Sequence, residues 1–371
     1  MDQPTPSLFG ARGKRWVHFG FFLVLLAFLS ASVFAQSITW NDGTRKSSIR
    51  TLNIYRCMHG MTTAQWYKYS SCIEPFAQTH ATYMATNNKF EHSGTSYNQK
   101  TCAPTGLGEN IGAGRQSMDN VIKAFYAEIQ YVNWSSPCDA SKGTVGHFTS
   151  IMWKDATLFA AAGAYSSSST YKYYWSSNNG SPTGSAPNTS SKCTSTMVPP
   201  LDTSVSQSSC EVSVLNYYNQ NPAKYWESSG LDSNAPTLSN LNLSTTGSLG
   251  KGSQYTLSWD YSGSSAPTFN IVFCTGGLSG SCSTLASSIA NSQRSASITI
   301  PSSAATDQYG ILSVQTSTLN EIAYLAGLNI VDGGGGDGGD GGVTPIPTPT
   351  TYSWSSGKWG DCSNSSGCGT G

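Results

Sequence analysis

The sequence predicts an α+β domain followed by an all-β sandwich of immunoglobulin or fibronectin type. Helical periodicity dominates up to about residue 130, and alternating strands follow to about residue 176. A second set of short alternating runs, separated by Gly/Ser/Pro turns, fills residues 236–331. Helices first and strands second place the helices over an antiparallel sheet in the first domain.

The chain opens with Arg12, Lys14 and Arg15 ahead of an apolar run ending Val33-Phe34-Ala35. Small residues at minus three and minus one predict a signal peptide over 1–35, cleaved after Ala35. The run is shorter than the ~20 residues a spanning helix needs. No transmembrane segment is expected after its removal, and the expected location is extracellular. Ten cysteines in an oxidising compartment point to disulfides rather than metal ligands, but their spacing does not fix the pairing. Charged residues make up 11% of the chain, against about 25% in ordinary soluble proteins. A formal net charge of zero argues against nucleic acid as a partner. Sequons at Asn133, Asn179, Asn188, Asn242 and Asn364 predict glycosylated surface loops.

The first helix is read from Ile49, Leu52, Tyr55 and Arg56 and ends near His59-Gly60. The second spans Cys72 to Asn87, where Ile73, Phe76, Ala77, His80 and Met84 recur at three and four residues. The third, Met118 to Gln130, carries Met118, Val121, Ile122, Phe125 and Ile129 on one face. Strands are expected at 147–153, 159–165 and 170–176. A Ser/Asn/Pro-rich loop follows from 177 to 209, pinned by Cys193 and Cys210. In the second domain the strands are 255–259, 269–273, 296–300 and 309–314, and Cys274 and Cys282 flank a turn they can close. The domains are then 45–195, a connector 196–235, and the sandwich 236–331. A linker over 332–351 is Gly/Asp-rich and flexible, then Thr/Pro-rich and stiffer.

Four ionisable residues stand where a core-forming chain should not want them. His92 follows an apolar-aromatic lead-in, and Glu109 lies in a Gly-bounded turn. Glu128 projects along the apolar face of the third helix, and His147 heads a predicted strand. Two imidazoles and two carboxylates form an N/O donor set suited to zinc or another divalent cation, with the carboxylates able to act through water. Taken singly, each is an ordinary satisfied polar group.

Lys89-Phe-Glu-His-Ser93, Gly108-Glu-Asn-Ile111, Phe125-Tyr-Ala-Glu-Ile129 and Gly146-His-Phe-Thr-Ser-Ile-Met-Trp153 occur in the order and spacing of the CAP superfamily. This is the family of cysteine-rich secretory proteins, antigen 5 and plant pathogenesis-related 1 proteins. The resemblance covers about residues 45–180. It implies an α-β-α sandwich with a His/Glu/Glu/His tetrad in a surface cleft, falling on His92, Glu109, Glu128 and His147. There are departures. The family's early HNxxR reads Leu52-Asn-Ile-Tyr-Arg56, without the histidine, and its late Cys-x-Tyr-x-Pro-x-Gly-Asn block reads Tyr174-Trp-Ser-Ser-Asn-Asn-Gly180. In sterol-binding members an aromatic loop contacts lipid, and the matching segment here, Tyr131 to Cys138, keeps Tyr131 and Trp134. Residues 352–371 resemble the opening of a thrombospondin type 1 repeat with a widened cysteine gap, as if the module were truncated.

The resulting expectation is a secreted, non-enzymatic binding protein that holds a divalent cation and a sterol or other lipid. Its C-terminal modules would dock it to the cell surface or extracellular matrix. Two alternatives are an extracellular hydrolase using metal or a His–Glu pair, and a structural adhesin or wall protein in which the tetrad only stabilises the cleft. Neither an HExxH nor a nucleophile-elbow motif is present.

Overall fold

A computed structural model describes residues 35–38, 40–94, 102, 107–181, 193–227, 237–262, 268–317 and 322–333. The signal segment before Ala35, the sequons at Asn188 and Asn364, nearly all of the 332–351 linker and the thrombospondin-like stretch 352–371 lie outside these residues.

Helix α1, Asp42–Met58, begins earlier than the apolar periodicity shows. The reason is local. Asn41 accepts from Thr44 N at 3.0 Å, the Thr44 side chain reaches back to Asn41 N at 3.0 Å, and this reciprocal cap starts the helix in polar sequence. Helix α2, Glu74–Asn87, has a proline in its first turn and ends at Asn88 in the left-handed region. Helix α3, Met118–Tyr126, is capped by Ser117 and passes directly into a 3₁₀ turn, Ala127–Tyr131.

The sheet of this domain contains β1 (Gln36–Ser37), β2 (Lys68–Tyr69), β3 (Leu107–Ala113), β4 (Leu158–Tyr165) and β5 (Tyr173–Gly180). Its order is β1-β4-β5-β3, with β2 beside β4. The ladders β4–β5 and β5–β3 are antiparallel, so β3 is an edge. Alternating residues face opposite layers. Ile111 and Tyr174 pack with Ala81, Met84 and Ala85 of α2. Trp175, Phe159 and Leu158 join the main core with Ile49 and Leu52 of α1 and Val121 and Phe125 of α3. Helices thus cover both faces, the α-β-α layering that the family resemblance implied.

Three expectations are corrected. Residues 146–151 form helix α4, Gly146–Ile151, not a strand. Alternation in GHFTSIM imitates a strand, but Phe148, Thr149, Ser150 and Ile151 are all buried, so the pattern carries no face. Glu109 lies on strand β3 rather than in a turn, because Gly108 to Ala113 pair along β5. The last strand is Tyr173–Gly180, later than 170–176, because residues 166–172 are used to turn the hairpin.

Disulfides join Cys57 to Cys210, Cys72 to Cys102, Cys138 to Cys193, and Cys274 to Cys282. Cys193 and Cys210 both pin the segment that follows β5, each to a different partner. That segment continues into helix α5, Gln207–Gln220, capped by Ser206, whose buried Val214 and Tyr218 join the core that holds α1. Glu227 N then donates to Tyr69 O at 2.9 Å, tying the chain back to β2.

The second domain holds β6 (Thr237–Leu243), β7 (Leu249–Gly250), β8 (Gln254–Ser262), β9 (Phe269–Thr275), β10 (Ser281–Ile289), β11 (Ser295–Thr299), β12 (Asp307–Thr316) and β13 (Ile322–Val331). They form two sheets, β10-β9-β12-β13-β7 and β11-β8-β6. Leu257, Trp259 and Ile298 of the smaller sheet share one core with Phe269, Ile271, Phe273, Leu312 and Val314 of the larger.

Helix α5 also belongs to this second domain. Glu211, buried, accepts from Gln207 Nε2 at 2.9 Å, from Leu278 N at 2.5 Å and from Ser279 N at 3.3 Å. Those amides lie in the loop that Cys274–Cys282 closes. Gly277 in that loop has φ +84° and comes so close that a Cβ would sit 2.1 Å from Glu211 Oε2. Ser208 Oγ donates to Gly276 O at 2.7 Å, and Leu215 packs with Cys274 and Ile311.

Candidate functional site

The four sequence-identified residues are assembled as two His–Glu pairs. In the first, His92 follows α2 and Glu109 is on edge strand β3. The His92 Nδ1 to Glu109 Oε1 distance is 2.8 Å, and Ser93 N donates to the same oxygen at 2.9 Å. In the second, Glu128 sits in the 3₁₀ turn after α3 and His147 in the first turn of α4. His147 Nδ1 lies 2.6 Å from Glu128 Oε1, while His147 N and Phe148 N donate to Oε2 at 3.0 Å each. The two carboxylates are mostly buried, but the imidazoles differ: the His92 side chain is 62% exposed and that of His147 27%. No other described residue hydrogen-bonds Nε2 of either ring.

The second pair explains why α4 exists. A helix this short cannot stabilise itself, and its end groups need partners. Glu128 takes the N-terminal amides, where a negative charge also complements the helix dipole. At the other end Arg56, fully buried, donates to Ile151 O, Trp153 O and Lys154 O at 3.0 Å and to Gln65 O at 2.7 Å. Its guanidinium lies 4.3 Å from the centre of the Tyr67 ring. Phe125 stacks on the His147 imidazole at 4.5 Å. The His147 ring is therefore fixed by its helix, its carboxylate and an aromatic face.

A buried polar network links the two halves. Asn110, next to Glu109, donates to Ser150 Oγ at 3.2 Å and Asn179 Oδ1 at 3.3 Å. Asn179 Nδ2 donates to Ser150 O at 2.7 Å and Tyr67 Oη at 3.2 Å. Asn53, in the motif that lacks the family's early histidine, clasps Tyr67 through both its amide atoms and reaches Tyr218 Oη of α5 at 2.6 Å. Asn179 thus corrects one sequon. It is fully buried in β5 with its amide nitrogen engaged, so the folded chain has no room for a glycan there. Asn242 is exposed on β6, and Asn133 turns its side-chain oxygen to Ser135 N and Oγ.

Charge state follows from these contacts. The hydrogen bond from Glu109, set against partial burial, raises the His92 pKa above its ordinary value. Burial pushes the Glu109 carboxyl up, but hydrogen bonds from His92 and Ser93 outweigh it and hold it below the usual range.

Two further histidines were not legible as site residues. His80 of α2 places Nε2 3.9 Å from Glu109 Oε1 and 2.9 Å from Glu91 O. His59 caps α1, with Nδ1 2.6 Å from Pro199 O and Nε2 3.1 Å from Tyr126 Oη. Burial lowers its pKa to about 4, so it is a neutral ring that donates to Pro199 O and accepts from Tyr126. The only signal in the sequence was position: His59 precedes the Gly60 that ends the helix.

In the expected lipid loop, Trp134 turns inward and contacts His59 and Phe148, with ring centroids 6.1 Å away in both cases. Tyr131 remains exposed and lies over Gly143, where a Cβ would meet its ring at 2.7 Å.

A four-ligand metal site does not fit this arrangement. Both carboxylates are spent on imidazole and backbone donors, and among the described residues no group of three or more His, Cys, Asp and Glu side chains is placed to hold a metal ion. The arrangement consists instead of two imidazoles, each oriented by a carboxylate on Nδ1.

Comparison with known proteins agrees with the motifs. Residues 49–179 match the CAP model, described as the cysteine-rich secretory protein family, and residues 244–330 match the Kre9/KNH-like N-terminal Ig-like domain. "Repressed by EFG1 protein 1" of Candida albicans is 30% identical over 112 residues, 30% of this chain and 36% of that protein. "Pathogenesis-related protein PRMS" of Zea mays is 23% identical over 144 residues, 38% of this chain and 78% of that protein. The chain therefore spans only about a third of the Candida relative. A solved structure titled "Structure of BmVAL-1" aligns over 39% of this chain and 79% of that one, at 19% identity and a TM-score of 0.30. A CAP-family domain over residues 49–179 is supported by the family model and the two sequence relatives. The thrombospondin resemblance gains no such support, and the second model falls on the β-sandwich instead. No described helix is long and apolar enough to cross a membrane.

Proposed function

We propose that this chain is a secreted, non-enzymatic binding protein whose CAP domain presents two carboxylate-oriented imidazoles to a divalent cation. The observation that carries this reading is the pairing itself. Each imidazole gives Nδ1 to a glutamate, which sets the tautomer and leaves Nε2 as a lone-pair donor. His92 and His147 would be the ligands, with water completing the shell. Glu109 and Glu128 hold the rings in place. The two hydroxyls of α4 are not poised as nucleophiles: Thr149 and Ser150 are both buried and donate to Val145 O at 2.9 Å and to Asn179 Oδ1 at 3.0 Å. Export agrees with four disulfides and with the composition.

Lipid is the second ligand of this reading, with Tyr131 as the exposed contact and Trp134 as the anchor that fixes the loop on Phe148. The β-sandwich would carry the domain to a cell surface or matrix.

The decisive measurement is mass spectrometry of the native secreted protein before and after dialysis against chelator, followed by zinc titration of wild type, His92→Asn and His147→Asn. Binding at one ion per chain, weakened at least tenfold in each variant, supports the proposal. Equal zinc affinity in wild type and both variants overturns it. For lipid, labelled cholesterol binding should fall in Tyr131→Ala, and saturable binding unchanged by that substitution removes the loop from the reading.

A further inference from the structure

The hairpin between β4 and β5 and the turn after α2 are held together in a way the CAP motifs do not require. Asn88, left-handed at φ 49°, accepts on one side-chain oxygen from Thr170 N at 2.7 Å and Tyr174 Oη at 3.0 Å. Lys172, at φ 63°, is a second non-glycine residue in that region, and Ser166 N donates to Lys172 O at 2.8 Å to close the hairpin. Such residues cost conformational energy and persist where the surroundings impose them. What this clamp holds at the surface is aromatic: Phe90 is 46% exposed, Tyr171 47% and Tyr83 39%. The Phe90 and Tyr171 rings are 5.7 Å apart and tilted by 58°.

Exposed rings fixed side by side mark a binding surface. Its charge narrows the occupant. Lys89 lies 3.3 Å from Glu91, and Tyr83 Oη donates to the same carboxylate at 3.0 Å, so that pair neutralises itself and leaves exposed Lys172 as the charge beside Tyr171. One lysine falls short of the cluster of about four to eight basic residues that an anionic lipid surface draws on. The remaining polar groups are phenol hydroxyls and the serines and threonine of the hairpin, a Tyr/Ser/Asn composition suited to adaptable hydrogen bonding around rigid rings. A neutral, hydroxyl-rich ligand with flat C–H faces matches both features. β-Linked pyranoses have such faces, because their substituents are equatorial.

We propose that Phe90 and Tyr171 form a stacking platform for a neutral β-linked polysaccharide. The site uses neither His92–Glu109, His147–Glu128 nor the Tyr131–Trp134 loop, so it stands or falls separately from the metal and lipid reading. The test is co-sedimentation of the full secreted chain with three insoluble polysaccharides, β-1,3-glucan, cellulose and chitin, alongside phosphatidylcholine vesicles. Wild type should pellet saturably with at least one polysaccharide and not with vesicles. Phe90→Ala/Tyr171→Ala should weaken that binding by about tenfold or more, since each ring contributes on the scale of an aromatic contact. Its melting temperature and zinc binding should be unchanged. Tyr171→Trp, which keeps a ring, should retain binding, and this shows that the ring rather than the hydroxyl is needed. Three results would each overturn the proposal: no polysaccharide retains the chain, the double variant pellets as wild type does, or the substitutions abolish vesicle binding instead.

Discussion

The two His–Glu pairs look equivalent in sequence but are unequal in energy. Glu128→Ala removes three hydrogen bonds at once: that to the His147 ring and those from the His147 and Phe148 amides in the first turn of α4. Losing one partner of a buried pair costs about 3–5 kcal/mol. Because the His147 ring is 27% exposed and can recover water, the low end applies, about 3 kcal/mol. Glu109→Ala removes a bond to a ring 62% exposed and one to Ser93 N, and exposed pairs contribute little, so about 1 kcal/mol is expected. On the ~2–4 °C per kcal/mol typical of a unit of 150–250 residues, Glu128→Ala should melt roughly 9 °C below wild type and Glu109→Ala roughly 3 °C. Urea and thermal unfolding in the presence of chelator measure both without interference from bound metal. Equal costs, or a Glu128→Ala cost below about 1 kcal/mol, would refute the claim that Glu128 builds the helix that carries His147.

Arg56→Met leaves four backbone carbonyls without their donor and should cost about 3–5 kcal/mol in urea melts. Arg56→Lys should not restore stability, because a single ammonium cannot span that fan of acceptors. His59 makes the domain acid-sensitive. Its folded pKa is about 4 against 6.5 when unfolded, so the unfolded chain takes up the proton first. Stability is full above pH 6.5 and falls as pH drops towards 4, by about 3 kcal/mol in total. His92 acts in the opposite sense, because its raised pKa adds stability below its unfolded range that is lost as pH rises through the folded value. Replacing His59 with Phe should flatten the acid limb of a pH–melting curve, and an unchanged limb would assign it to other groups. Glu211→Ala should speed hydrogen exchange at Leu278 and Ser279 by at least tenfold while Cys57–Cys210 stays intact, a loss of about 1–3 kcal/mol of local protection. Unchanged exchange would mean the loop is held by its own disulfide rather than by α5.

Residue periodicity carried the α+β character of the first domain and the strands of the second, while the three-layer stacking and the four candidate site residues came with the family resemblance. Apolar spacing is a local property, so α2 and α3 were readable from it, and motif spacing survives whatever the intervening turns do. The strands of the sandwich were equally plain, because period-two alternation between turn residues needs no partner to be seen. What those residues become depends on contacts between elements far apart in the chain. GHFTSI is a helix because Glu128 and Arg56, from two distant elements, satisfy its ends. Helix α5 was hidden because its buried face is completed by α1 on one side and by the 274–282 loop on the other. Asn179 reads as a surface sequon and is a core hydrogen-bond donor, since burial is set by the sheet that forms around it. The same holds for Glu109 and Glu128: sequence placed them as candidate ligands, and the fold turns both towards imidazole and amide.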